Sequence, residues 1–150
     1  MYDSYTSNIL EVKKMSAMIH SIIQEQLGLG VKSERIILGG FSQGGALALY
    51  ASLTCPVKLG GTFLLSSWLL APWEFSGMVR PSTVHALPNC YSPMLQCHGI
   101  KDTKVRNTQI AASTQLIMSE PRQIVVFLSC RFTQTILQGL LENLFSQVKL

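Results

Sequence analysis

Apolar residues recur along the first thirty positions at helical spacing: Ile9, Val12, Met15, Met18-Ile19, Ile22-Ile23 and Leu27. Polar residues fill the gaps. A stripe at i, i+3, i+4 and i+7 is what an amphipathic helix needs to cover a core. The pattern predicts a helix over residues 7–27, with Thr6 or Ser7 placed to cap its start and Gly28 or Gly30 its end. The period then changes. Short continuous apolar runs at Arg35–Leu38, Gly61–Ser66, Met94–His98 and Ile124–Leu128 read as buried strands. Between and after them, Ser42–Leu53, Asn107–Met118 and Thr135–Val148 read as helices. The stretch from Pro72 to Pro93 carries Gly77, Pro81 and Pro88 and reads as loop. Continuous apolar strands alternating with helices predict an α/β class domain. Its core would be about four parallel strands with helices on both faces.

The most informative chemistry lies at one strand-to-helix junction. Gly40-Phe41-Ser42-Gln43-Gly44 is a G-x-S-x-G sequence between the apolar run Ile36-Ile37-Leu38 and the small-residue run Ala46-Leu47-Ala48-Leu49-Tyr50. A strand that turns sharply into a helix lifts one serine hydroxyl clear of the sheet and aims free backbone N–H groups at whatever it attacks. On this reading Ser42 is a nucleophile and the Gln43 backbone N–H an oxyanion donor. Glycines at 40 and 44 are expected because a side chain at either position would clash where strand and helix cross. A glycine-rich turn with no chemistry is the alternative reading of the same five residues.

Ser33 to Tyr50 as a whole resembles the nucleophile segment of the acyl-protein thioesterase (lysophospholipase/carboxylesterase) family of α/β-hydrolases. Leu64-Leu65-Ser66-Ser67-Trp68-Leu69 resembles that family's next strand and its exit. Leu95-Gln96-Cys97-His98-Gly99, followed by Asp102 and Val105, resembles its acid-bearing H-G-x-x-D-x-x-V segment. The resemblance implies a partial α/β-hydrolase domain over residues 1–150, equivalent to the C-terminal two-thirds of the family's domain. Tyr2-Asp3 would be a remnant of an earlier element. It implies hydrolysis of acyl thioesters or carboxylic esters, foremost the removal of palmitate from protein cysteines, with lysophospholipids as a second class. It assigns Asp102 as the acid that orients the base; without it, Asp102 in Lys101-Asp102-Thr103 reads equally as a turn residue. It also assigns Trp68 and Leu69 to an acyl-chain channel, where ordinary core packing at a strand's end is the alternative. The family's dimerising surface makes a homodimer the expected association.

The base is the missing member. On this fold it follows the acid in the chain, and the resemblance puts it near Gln134 or Thr135. Histidines stand only at 20, 85 and 98. His98 reads as a structural histidine within its motif, His20 as a residue of the first helix, and His85 as a loop residue whose path could approach Ser42. Residues 123–134 begin like the family's last strand and then depart from it. A change of reading frame, an incomplete isoform and a pseudoenzyme each account for that departure. A non-catalytic acyl-binding or regulatory module is therefore the rival to the hydrolase reading, and an incomplete gene product is the third. Without the family's early strands, the strand at Arg35–Leu38 is expected to present an open edge and to make the chain poorly soluble alone.

Composition narrows partners and setting. Hydrophobic residues make up 47% and charged residues 13%, which suits a buried core and not a disordered chain. A net charge of +4 with only one basic doublet, Lys13-Lys14, gives no support for nucleic-acid binding. It allows at most a weak, transient attraction to an anionic membrane surface. Cys55, Cys90, Cys97 and Cys130 form no C-x-x-C pair and no metal-ligand spacing, so they read as buried thiols. No metal or organic cofactor is implied. With no signal-peptide pattern at Met1 and no apolar stretch long enough to span a bilayer, a reducing cytoplasmic setting is expected.

Overall fold

A computed structural model of the chain describes residues 9–75, 87–90 and 92–99, together with the backbone of a strand at 123–128. Helix α1 runs Ile9–Gly28, strand β1 Ile37–Phe41, helix α2 Gln43–Thr54 and strand β2 Gly61–Leu65. The short helix α3, Pro72–Phe75, follows, then strands β3, Met94–Gly99, and β4, Gln123–Leu128. The four strands form one parallel sheet in the order β1-β2-β3-β4. The parallel sheet and its alternation with helices are as the sequence predicts. The expected helices at 107–118 and 135–148 lie outside the described residues.

Three boundaries differ from expectation. Ser33–Arg35 forms a 3₁₀ turn, so β1 starts at Ile37, not at Arg35. The strand then continues through Gly39 and Gly40 to Phe41, paired in register up to Phe41 opposite Leu65. Glycine disfavours a strand locally, but here it admits a neighbour: a Cβ on Gly39 would overlap the Phe63 ring. The loop expected from Pro72 also opens on the one-turn helix α3.

Helix α1 buries a narrower stripe than its apolar pattern suggests. Ser16 and Ile23 are buried, and Ile9, Val12, Ile19 and Leu27 pack against the core, whereas Met15, Met18 and Ile22 stay exposed. The seam with α2 includes polar side chains one turn apart. Ser16 Oγ meets Thr54 Oγ1 at 3.2 Å, and His20 Nε2 lies 2.8 Å from the Ala51 carbonyl. A carbonyl only accepts, so the imidazole carries its proton on Nε2.

Helix α2 is buried on nearly every side: Gly45, Ala46, Ala48, Leu49, Tyr50, Ala51, Ser52 and Leu53 are all inaccessible. Its small residues let it lie close on the sheet, where Thr62 of β2 donates to Ser52 Oγ at 2.8 Å. The main core gathers Leu49, Tyr50, Leu53, Leu64, Leu69, Phe75 and Met94 between α2, β2, α3 and β3. The Tyr50 hydroxyl donates to Glu74 at 2.7 Å, and Lys13 pairs with the other Glu74 oxygen at 2.8 Å, tying α3 to α2 and α1. Lys13 holds the Glu74 carboxyl below its ordinary range, and burial beside that carboxylate raises the Tyr50 phenol well above its own.

Among the described residues, β1 has a sheet neighbour on one side only. Its sequence Ile-Leu-Gly-Gly-Phe carries no charge, and Phe41 is 68% exposed. An apolar groove of about 280 Å³ runs beside it, lined by Ile19, Ile22, Ile36 and Leu38 among others. An uncharged open edge is a template for pairing with other chains, and lysine on such an edge blocks it. The chain at micromolar concentration is expected to elute as associated species, and Phe41→Lys to raise the monomeric fraction in size-exclusion chromatography with light scattering. An equally monomeric parent would show that the edge is already covered.

Candidate active site

Ser42 sits between the last residue of β1 and the first of α2 at φ 52°, ψ −123°. This is a region L-residues rarely occupy, and a non-glycine residue held there costs roughly 1–3 kcal/mol. Three hydrogen bonds hold it. Its N–H donates to the Leu65 carbonyl at 2.8 Å, its carbonyl accepts from the Ala46 N–H at 3.0 Å, and the same carbonyl accepts from Ser67 Oγ at 2.9 Å. The side chain is half-buried. Gln43 opens α2, so its N–H has no acceptor within the helix. The strand-to-helix turn read from the sequence is therefore present.

The glycines divide differently from expectation. A Cβ on Gly40 would lie 2.6 Å from both Gly44 C and Gly45 N, as the clash argument requires. Around a Cβ on Gly44 there is nothing within 4 Å, which corrects the expectation for that position. The close crossing instead falls on Gly45, whose Cβ would stand 2.6 Å from the Gly40 carbonyl oxygen and 2.8 Å from Ser67 Oγ. The five-residue motif hid this, because the helix turns its second glycine outward and its third toward the strand.

Strand β2 leads into a second strained turn. Ser66 at φ 45° donates its N–H to the Cys97 carbonyl at 2.8 Å, and Ser67 behind it is fully buried. Trp68 is half-buried, whereas Leu69 is 4% exposed and belongs to the main core. From β3, Gln96 Nε2 donates to the Ser67 carbonyl at 3.2 Å. Sequence reasoning singled out neither Ser67 nor Gln96. The polar residue within the apolar run of β3 was the only signal.

Of the three histidines, His20 is hydrogen-bonded to Ala51, nine residues along α2 from Ser42 or roughly 13 Å at helical rise. His98 is buried on β3 at 1% exposure. Phe41, Leu65 and Cys97 share one register line, so Ser42 and His98 stand level with β2 between them, roughly 10 Å apart at ordinary strand spacing. His85 and Asp102 lie outside the described residues, as does Cys130. Cys55, Cys90 and Cys97 are all buried, and burial pushes the Cys55 and Cys97 thiols up, away from the reactive thiolate. No described helix is long and apolar enough to cross a membrane.

Comparison with known proteins follows the same lines. The phospholipase/carboxylesterase family model matches residues 3–133. An acyl-protein thioesterase 1 of Gibberella zeae is 42% identical over 106 residues, covering 71% of this chain and 43% of the relative. One from Neurospora crassa is 36% identical over 69% of this chain and 40% of its own length. The chain thus spans about two-fifths of the length of these relatives. Among solved structures, Arabidopsis thaliana SOBER1 superposes with a TM-score of 0.71 at 25% identity, over 92% of this chain and 65% of that one. Zea mays acyl-protein thioesterase 2 gives 0.72 at 20% identity, over 92% and 66%. With a parallel sheet, a strained serine between β1 and α2, and a family match over most of its length, the chain belongs to the phospholipase/carboxylesterase family of α/β-hydrolases.

Proposed function

We propose that residues 1–150 form part of a serine hydrolase domain of the acyl-protein thioesterase type, with Ser42 as its nucleophile. The observation that carries this reading is the Ser42 backbone at φ 52°, locked by three hydrogen bonds at the start of a helix. Ser42 Oγ attacks the acyl carbonyl and its proton passes to a base. The Gln43 N–H meets the developing oxyanion. The substrate thiol or alcohol leaves with a proton, and water then releases the fatty acid from Ser42. Asp102 is the acid that orients the base. Trp68 and Leu69 form the wall of the acyl channel, Leu69 from the core behind it. The substrates are S-acylated proteins, with palmitoylated cysteines first and lysophospholipids or other carboxylic esters second. The setting is cytoplasmic, with transient contact at the membrane surface and a homodimer as the assembly.

A second reading has its own observation. No histidine follows Asp102 in this chain. Loss of a triad member leaves roughly 10³–10⁴ of rate over water. A chain without its base would be a non-catalytic acyl-binding or regulatory module. The experiment that separates the two is labelling of the purified chain with a fluorophosphonate probe, with Ser42→Ala as control. Labelling that vanishes in the variant means a base reaches Ser42, and His85→Ala is then the next substitution to make. A folded chain that takes no label belongs to the second reading.

A further inference from the structure

Ser67 and Gln96 occupy places where apolar residues would pack as well. Ser67 is 0% exposed and Gln96 1%. Gln96 Oε1 has no hydrogen-bond partner. A buried acceptor without a donor is costly, and an apolar side chain of equal size would remove it. Yet the amide Nε2 is engaged: it donates to the Ser67 carbonyl, and only the nitrogen end of the amide can do so. Ser67 in turn donates its hydroxyl to the Ser42 carbonyl at 2.9 Å. A chain of two hydrogen bonds thus runs from the middle of β3 to the peptide between Ser42 and Gln43.

That peptide has two ends. It is planar and trans, so its C=O and N–H point in opposite directions. Drawing the Ser42 carbonyl inward, toward Ser67 and the Ala46 N–H, directs the Gln43 N–H outward. Helix formation alone supplies the Ala46 bond. At φ 52°, ψ −123°, local preference does not hold the plane, and Ser67 adds the bond that does.

We propose that Ser67 and Gln96 are positioning residues for the Ser42–Gln43 peptide, setting the angle of the oxyanion donor beside the nucleophile. The proposal rests on Ser42 being the nucleophile. Its test uses the full chain, Ser67→Ala and the volume-conserving Gln96→Met, with two readouts. One is fluorophosphonate labelling, separated into probe affinity and maximal rate. The other is hydrogen exchange at the Ser42 and Ala46 amides, both hydrogen-bonded in the parent, which needs no reactivity. Expected for Ser67→Ala is a maximal labelling rate lower by roughly ten- to hundredfold at unchanged probe affinity, the scale of a misdirected catalytic donor. Faster exchange should be confined to residues 42–46, and Gln96→Met should show the same pattern more weakly. Unchanged rate and exchange in both variants would overturn the proposal. So would faster exchange spread over β2 and β3, which would mark the two residues as core packing alone. If the parent takes no label, the nucleophile reading falls, and exchange confined to 42–46 or its absence still decides whether the pair anchors this peptide.

Discussion

Gly45→Ala is expected to lower unfolding stability by about 3 kcal/mol, while Gly44→Ala, one residue away, raises it by about 0.5 kcal/mol. The opposite signs come from the neighbours. At 45 the new methyl meets the Gly40 carbonyl oxygen at 2.6 Å and Ser67 Oγ at 2.8 Å. The first is backbone of a paired strand and the second a fully buried side chain that is itself hydrogen-bonded, so neither yields cheaply. The helix must back away from the sheet, loosening the Ser42 turn with it. At 44 nothing stands within 4 Å, and alanine only restricts the unfolded chain and favours the helix. Urea unfolding of the two variants beside the parent measures both. A Gly45→Ala midpoint equal to the parent's would mean that strand and helix do not cross at this distance. Fluorophosphonate labelling should follow the same order, since only Gly45→Ala disturbs the serine.

The contrast between these glycines marks how far the sequence could be read. Parallel strands alternating with helices follow from apolar runs, and the Ser42 turn follows from G-x-S-x-G set between strand-like and helix-like residues. Both are local patterns, and the backbone obeys them. Which glycine faces the strand depends on the rotation of α2, which five residues do not specify. The narrow buried stripe of α1 has the same origin: Met18 and Ile22 fit the period but face away from what α1 packs on. Polar contacts between distant segments have no sequence period at all. Ser67 and Gln96 lie 29 residues apart, and Ser67 and Ser42 lie 25 apart. A polar residue inside an apolar run signals that some partner exists without saying which. The role of Asp102 as the acid comes from the resemblance alone, and the residue lies outside the described residues.

Asn89→Ala is expected to cost roughly 3–5 kcal/mol, the largest effect of any single substitution proposed, because one side chain there satisfies several buried groups. Asn89 is 4% exposed. Its Oδ1 accepts from the Leu59 N–H at 2.7 Å and from Ser92 Oγ at 3.0 Å. Its Nδ2 donates to the Val57 carbonyl at 2.8 Å and lies 3.4 Å from the Cys55 carbonyl. The segment 55–60 that joins α2 to β2 therefore takes several of its hydrogen bonds from a residue some thirty positions later, just ahead of β3. Alanine would leave the Leu59 N–H and the Val57 carbonyl without partners in a space too small to hydrate freely, each at about 1–3 kcal/mol, and would add a cavity. Asn89→Asp separates the two halves of the effect. It keeps the acceptor for Leu59 and Ser92 but sets a carboxylate oxygen against the Val57 carbonyl. It is expected to be as damaging as alanine at neutral pH and to recover part of the loss below the carboxyl pKa, when the protonated oxygen can donate. Urea midpoints of parent, Asn89→Ala and Asn89→Asp at pH 7 and pH 4 test this. An Asn89→Ala midpoint near the parent's would show that water fills the place of the amide. Loss confined to β2, read by exchange at Thr62, would show that the clamp holds the loop and not the whole sheet.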